Sequence, residues 1–537
     1  MGFITTVIRL LFVALKYVVK IAIFCGLIWF LVPLAFAIIY EQVTGDLMGL
    51  STGFSNPAAN VVSSILWYAC YVLAPLTFLQ NIIRMVKKDR HFSWTGLLKQ
   101  KQQKGIEAKI DGDTIKLVSG GKIQGFVFGK QNGKYAVQPE STDGHVLIIG
   151  SPGCGKTAGI AIPTLMSWKE RVFAIDVKGE LYQKAGKARG TEHIKVFNPT
   201  DRNAYGYDPF YVLKTSDDVS SSARQLAMSI VPIPAETKDP FWPKEAQSLF
   251  TGLVLYYFQQ NLNFSETVLE IKATPIAQQI IEIMADPETS KTIKAHLAEF
   301  SGMDDKTLSG VYAELSSHIT VFATNDNLQR ALSGSADCIT PQDLENGYDI
   351  FCCIPEKQID EWNDLLGMMC NQFLKFFEGR SENNKTPILF LIDEFPRLGK
   401  IESICNGLAT LRSKKIHIAL IVQSKSQLNK IYGKDTAAVI ADNCSYKAIL
   451  KANDPDMREW CSKLVGTYDK KKVSSSTTAD NLGIGKGQGM SIGTEEKRII
   501  KPEEFGSLQD VVCVFPNGYK RLQKASYYDD KTFTSKL

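Results

Sequence analysis

The sequence predicts an α/β fold: a parallel sheet flanked by helices, interrupted by one all-helical insertion and preceded by two transmembrane helices. Three observations predict it. Short apolar runs alternate with stretches of helical period, two long uncharged segments stand near the N-terminus, and residues 216–338 show helical period with little strand signal.

A chain of 537 residues exceeds one ordinary domain, and 45% apolar with 22% charged residues are the proportions of a folded protein, which excludes bulk disorder. The formal charge of +5 is a small excess, part of it beside the membrane segment, so any DNA-facing surface must be local. The eleven cysteines form no C-x-x-C pair and no metal-ligand spacing, which fits reduced thiols in a cytoplasmic domain.

Residues 21–40 and 61–83 carry no charge, and each is long enough to cross a bilayer, which takes about 20 residues of helix. Arg9, Lys16 and Lys20 precede the first run and Arg84, Lys87, Lys88 and Arg90 follow the second, while only Glu41 and Asp46 carry charge between them. Positive-inside bias therefore places both ends, and the large domain, in the cytoplasm of a multi-pass membrane protein. A cleaved signal peptide ending at Ala35-Phe36-Ala37 is the alternative; the second run and its basic flank would still hold the bulk of the chain inside.

Residues 1–90 are thus read as the membrane anchor and 91–140 as a linker with small β-hairpins, the latter from alternating runs at 115–118 and 126–128 beside Asn132-Gly133. Strands are expected at 146–149, 172–175, 350–354, 388–392, 416–422, 446–450 and 511–515, which assigns 141–215 and 339–537 to one nucleotide-binding domain. Helical patterns at 244–260, 276–285 and 306–322 make 216–338 an inserted all-helical domain. The Ser/Thr-rich then Gly-rich stretch 473–494 lacks apolar periodicity and reads as a mobile loop.

Gly150-Ser151-Pro152-Gly153-Cys154-Gly155-Lys156-Thr157 follows a strand and satisfies G-x-x-x-x-G-K-[ST]. Glycines let backbone N–H groups turn inward around phosphate oxygens, Lys156 reaches the outer phosphates of ATP, and the Thr157 hydroxyl ligates Mg2+. A second element, Ile388-Leu389-Phe390-Leu391-Ile392-Asp393-Glu394, is a buried strand ending in two acids: Asp393 for magnesium and Glu394 for the attacking water. Together they make the sheet a RecA-like P-loop NTPase sheet and the protein an ATPase.

Gln423 ends the next strand, where its amide is placed either to sense the γ-phosphate or simply to cap a strand with a polar group. Arg412 follows the helix after the acidic strand and is read either as an arginine finger for a neighbouring subunit or as a cation at a helix C-terminus. The charges of Asp176-Val177-Lys178-Gly179-Glu180 face ligand or cap the next helix. Leu332-Ser333-Gly334-Ser335 lacks the second glycine and the glutamine of a transporter signature and reads as a turn.

Nearly the whole chain resembles the coupling proteins of type IV secretion and conjugation systems, of the TraG and TraD kind. The resemblance rests on the double N-terminal span, Gly144-His145-Val146-Leu147-Ile148-Ile149-Gly150 entering the phosphate loop, Asp176-Val177-Lys178-Gly179-Glu180-Leu181 and Asp239-Pro240-Phe241-Trp242. It also rests on Asp393-Glu394-Phe395-Pro396-Arg397-Leu398-Gly399 and Gln423-Ser424-Lys425-Ser426-Gln427-Leu428 followed by Tyr432-Gly433. It implies a homo-hexameric ring over a membrane stem, substrate received by the helical insertion, and export driven by ATP hydrolysis. By the same resemblance Lys156, Thr157, Asp393, Glu394, Gln423 and Arg412 take the roles given above. Cys154 stands where many relatives carry Ser or Ala, a change of small consequence for a loop that needs a small residue. With no acidic tail after the strand at 511–515, partner recruitment is expected to use other surfaces.

The leading expectation is an ATP-driven coupling protein that carries a relaxase bound to single-stranded DNA to inner-membrane components of a secretion channel. The alternatives are a coupling protein for protein effectors only and a nucleotide-binding membrane receptor or scaffold with weak hydrolysis. A chromosome translocase of the FtsK kind usually has more spans and a small C-terminal DNA-reading domain, neither of which is visible in the sequence.

Overall fold

This computed structural model describes residues 114–334, 337–384, 386–478 and 487–537, all within one compact unit, Gln103–Leu537. The expected membrane spans at 21–40 and 61–83, and the linker up to residue 113, lie outside the described residues. Among the described residues no helix is long and apolar enough to cross a membrane.

Strands β1 (Lys116–Val118), β2 (Phe126–Gln131) and β3 (Lys134–Gln138) form a small antiparallel sheet of order β1-β3-β2. Asn132 (φ 52°) and Gly133 (φ 77°) close the β2–β3 hairpin, the left-handed pair that a tight two-residue turn requires.

The main sheet is built from β4 (Val146–Ile149), β5 (Arg171–Val177), β6 (Ile194–Phe197), β9 (Asp349–Ile354), β10 (Ile388–Ile392), β11 (Ile416–Val422), β12 (Tyr446–Ile449), β15 (Val511–Phe515) and β16 (Gly518–Leu522). Its order is β16-β15-β12-β4-β11-β10-β5-β9-β6. All neighbours are parallel except β12–β15 and β15–β16. Parallel strands buried on both faces read as unbroken apolar runs, and every residue of β4, β10 and β11 is buried. Alternation then splits each run. Leu147, Ile149, Phe390 and Ile392 enter one core, while Val146, Ile148, Leu389 and Leu391 enter a second, which also takes Phe126, Phe128 and Tyr135 of the small sheet.

Between the two-residue strands β7 (Gly206–Tyr207) and β8 (Cys338–Ile339), after a single helical turn at Tyr211–Lys214, the helices are α1 (Val219–Ile230), α2 (Phe241–Gln259), α3 (Phe264–Ala273), α4 (Ile276–Ala285), α5 (Lys291–Ser301), α6 (Asp305–Thr324) and α7 (Asp326–Ala331). Their starts are written in the sequence as N-caps: the Asp218, Asn263, Ser290 and Asp304 side chains accept from backbone N–H groups in the first turn. Their apolar faces, with Leu249, Leu253, Val268, Leu297 and Leu315, join the sheet's first core, so this segment is packed onto one sheet face as part of a shared interior.

The loop expected over 473–494 is corrected by the backbone at 473–478 and 487–494, while 479–486 lie outside the described residues. β13 (Thr467–Thr478) pairs antiparallel with β14 (Gly487–Arg498), from Thr467↔Arg498 to Thr478↔Gly487. Ladder hydrogen bonds come from the backbone, which any sequence supplies, so apolar alternation does not mark this pairing, and Thr favours extended backbone.

One buried ion pair ties three segments of the sheet edge. Asp349 accepts from Arg189 Nε at 2.6 Å and Nη2 at 2.9 Å and from the Val172 N–H at 3.0 Å, while Arg189 Nη1 donates to the Leu165 carbonyl at 2.9 Å. Both side chains are nearly inaccessible. Asp349→Ala strands the guanidinium and is expected to destabilise the protein by about 3–5 kcal/mol, read as a lower urea midpoint; an unchanged midpoint contradicts this.

Candidate functional site: a phosphate loop facing two acids

The phosphate loop leaves β4 at Gly150 and is tied to both neighbouring strands. Gly150 N–H donates to the Val422 carbonyl at 3.1 Å and Ser151 N–H to the Lys451 carbonyl at 2.9 Å, while the Ser151 hydroxyl accepts from Asn453 N–H at 2.8 Å. Pro152 and Gly153 form the exposed lip, and Cys154 turns inward. Gly153 (φ 70°) and Gly155 (φ 90°) take the left-handed backbone that aims consecutive N–H groups to one side. A Cβ added at Gly153 would meet nothing within 4 Å, so no other side chain covers the lip there. Thr157 begins the following helix, a π-type turn over Thr157–Ala161 continuing into Ile162–Leu165.

Lys156 is 6% exposed, and its ammonium donates to the carbonyls of Gly150 at 2.7 Å and Ser151 at 3.2 Å. Burial pushes its pKa down, while Cys154, Glu394 and Asp393 pull it back up.

Opposite, β10 delivers Asp393, 7% exposed, and Glu394, partly exposed. Glu394 is left-handed (φ 51°), an unusual conformation for a non-glycine residue that turns the chain sharply at the strand end; its N–H donates to the Asp393 carboxylate at 3.0 Å. The Gln423 amide donates to the Glu394 carboxylate, so Gln423 contacts the candidate base directly. Burial raises the Glu394 pKa while Lys156, Arg397 and Lys178 lower it. Burial, then the Glu394 and Asp176 carboxylates, push Asp393 up to about 7. Thr157 and Asp393 offer oxygen donors only, the chemistry magnesium takes. Together with the glycine cradle, they fit a magnesium–nucleotide.

The structure decides between the two readings of Asp176. Its carboxylate accepts from the Leu181 N–H at 3.1 Å and the Tyr182 N–H at 2.8 Å, capping the helix Glu180–Arg189; burial pushes it up to about 6. Glu180 lies in that helix's first turn, and Lys178 (φ 94°) pairs with Glu356 at 3.2 Å on the surface. Arg412 is not brought to the site. It is exposed in the turn 411–415 that leads into β11, whereas Gln423 follows that strand's other end. Leu332 to Gly334 turn, with Gly334 at φ 72°, and Ser335 lies outside the described residues.

Sequence reasoning missed the segment after β16. Tyr527 N–H donates to the Ala158 carbonyl at 3.0 Å, and the Lys524 side chain runs past Gly155 and Gly159. No motif marks these residues, since their position depends on the antiparallel return of β15 and β16.

A family model described as type IV secretory system conjugative DNA transfer matches residues 93–537. The chain belongs to the type IV secretory system conjugative DNA transfer family. Among curated members, the protein VirD4 of Agrobacterium fabrum is 25% identical over 440 residues, covering 76% of this chain and 63% of that relative. The conjugal transfer protein TraG of Rhizobium radiobacter is 24% identical over 425 residues, covering 74% and 63%. The chain thus spans just under two thirds of the length of these relatives. The fold is that of the bacterial conjugative coupling protein TrwB, solved with the ATP analogue ADPNP: TM-score 0.55 and 18% identity, over 77% of this chain and 93% of TrwB. The same protein with ADP and Mg2+ gives the same TM-score of 0.55.

The folded protein holds the Asp393 proton up to about pH 7, whereas the unfolded carboxyl releases it near 3.8, so this group's contribution to stability falls as pH rises between those values. Ionised Asp393 is the form that could take a magnesium ion, so magnesium–ATP binding is expected to strengthen over the upper part of that window. Asp393→Asn should flatten the fall in melting temperature between about pH 5 and about pH 7.5 and abolish the magnesium dependence. An unchanged pH slope in the variant contradicts the assignment.

Proposed function

We propose that this chain is a membrane-anchored ATPase that couples cargo to a type IV secretion or conjugation channel, recruiting a relaxase–DNA complex and driving its transfer by ATP hydrolysis. The observation that carries the reading is the hydrogen bond from Gln423 to Glu394, with Asp393 beside them and Lys156 facing them within electrostatic reach. Membership of the conjugative DNA transfer family and the likeness to TrwB, whose structures hold ADPNP or ADP with Mg2+, support it.

In this reading the N–H groups of Gly150 to Thr157 cradle the β- and γ-phosphates, and Lys156 exchanges its carbonyl partners for phosphate oxygens. Magnesium, held by Thr157 and Asp393, supplies charge neutralisation on the phosphates. Glu394 accepts the proton of the attacking water, and Gln423 holds its carboxylate oriented and reports the γ-phosphate through the same contact. Arg412, at the far end of β11, acts on the nucleotide of a neighbouring copy, which requires a ring such as a homo-hexamer. The uncharged segments 21–40 and 61–83 hold the ring in the bacterial inner membrane with the ATPase in the cytoplasm, next to the channel's inner-membrane components.

Glu394→Gln is expected to keep ATP binding and lower hydrolysis by about 100-fold or more, and both Glu394→Gln and Lys156→Ala should abolish DNA transfer between cells. Transfer at the wild-type frequency in either variant would sink the proposal. In the same assays Arg412→Ala should lose hydrolysis by roughly 1,000-fold while binding ATP normally, and mixed with Glu394→Gln chains it should regain part of the rate. Normal hydrolysis by Arg412→Ala removes it from the site. Crosslinking that captures effector proteins and never DNA redirects the cargo assignment to protein export.

A further inference from the structure

Lys524 has no role in the account above, yet it stands against the phosphate loop and is fixed from both sides. Before it, Gln523 pairs with Lys130 of β2 in both directions, N–H to carbonyl at 2.9 Å and 2.7 Å. After it, the Tyr527 N–H to Ala158 bond at 3.0 Å fastens the chain to the helix that the loop opens. Two backbone anchors four residues apart leave Lys524 little freedom to be elsewhere. A Cβ on Gly155 would lie 3.9 Å from Lys524 Cδ, and one on Gly159 would lie 3.7 Å from its Cβ and 3.9 Å from its Cγ. The stem therefore crosses from the first turn of the helix towards the loop.

The charge follows the stem. Burial raises the Cys154 thiol pKa, and the Lys156 and Lys524 ammonium groups pull it back, so both cations act on the loop's interior. Lys524 is only partly exposed, and among the described residues its ammonium has no hydrogen-bond or ion-pair partner. Lys524 thus brings a second cation to bear on Cys154, inside a loop whose glycines let N–H groups turn inward. A polyanion seated on the loop would complement that charge.

We propose that Lys524 is a second phosphate-binding cation of this site, reaching the phosphate oxygens of a nucleoside triphosphate across Gly155 and Gly159. This rests on the ATPase reading. The competing explanation is a stem that packs over Gly159 with its head in water. The two separate by substitution, since Lys524→Met keeps the stem and loses the charge, and Lys524→Arg keeps the charge.

The test is the ATP dissociation constant of the full-length chain, with melting temperatures measured alongside. Lys524→Met should weaken ATP about tenfold or more at an unchanged melting temperature, and Lys524→Arg should stay within about threefold of wild type. Wild-type affinity in Lys524→Met overturns the assignment. So does an equal loss in both variants with lowered melting temperatures, which would mark a packing role; Lys524→Gln provides a second neutral side chain if Met disturbs the fold. Lys156→Ala, run in parallel, distinguishes the failures. Undiminished ATP binding there defeats the phosphate-loop reading itself, whereas loss in Lys156→Ala without loss in Lys524→Met defeats only the role of Lys524.

Discussion

One edge of the main sheet has to hold a buried lysine and three acids within electrostatic reach of one another, and most of the local structure follows from that demand. Lys156, Asp176 and Asp393 are all nearly inaccessible, and Glu394 is partly so. Isolated charges in such surroundings would be costly, so each is given partners. Asp176 takes two helix N–H groups, Lys156 takes two loop carbonyls, and Glu394 takes the Gln423 amide. The left-handed turn at Glu394 separates the two acids of β10 so that they do not share one position. Asp393 takes a single N–H, from Glu394, and is the more deeply buried of the two acids, and its pKa rises furthest.

The parallel register makes the concentration possible. β4, β11, β10 and β5 lie side by side and run the same way, so the phosphate loop, Gln423, the two acids and Asp176 all leave the sheet at one end. The same geometry sends Arg412 to the opposite end. Other parts are attached to the sheet's two faces: the helices between β7 and β8 share the core of Leu147 and Phe390, and the small sheet shares that of Ile148 and Leu391. The strap after β16 joins the second set to the loop, pairing with β2 at Lys130 and with the loop helix at Ala158. The small sheet is thereby connected by backbone hydrogen bonds to the helix that the phosphate loop opens.

What the sequence made legible was what depends on short-range pattern. The strands at 146–149, 388–392 and 416–422 could be read because burial on both faces leaves an uninterrupted apolar run, and the glycines of the phosphate loop could be read because only they take its backbone. The helix at 276–285 shows its period because one side is buried and the other is solvated. The β13–β14 ribbon was read as a loop because it shows no apolar alternation. Asp176 could not be decided because a strand-end acid suits a ligand and a helix cap equally until the Leu181 and Tyr182 N–H groups are placed. Lys524 carried no signal, since its neighbours in space are more than three hundred residues away in sequence.

In the proposed function this edge hydrolyses ATP for work on cargo, and the rate of ATP hydrolysis by the whole chain tests that most directly. It should be measured without nucleic acid, with single-stranded DNA and with double-stranded DNA, using Lys156→Ala as the blank. A magnesium-dependent rate that rises with DNA, and is absent from the blank, is the predicted result. A rate equal to that of Lys156→Ala under every condition would contradict the account and leave a nucleotide-binding receptor in its place.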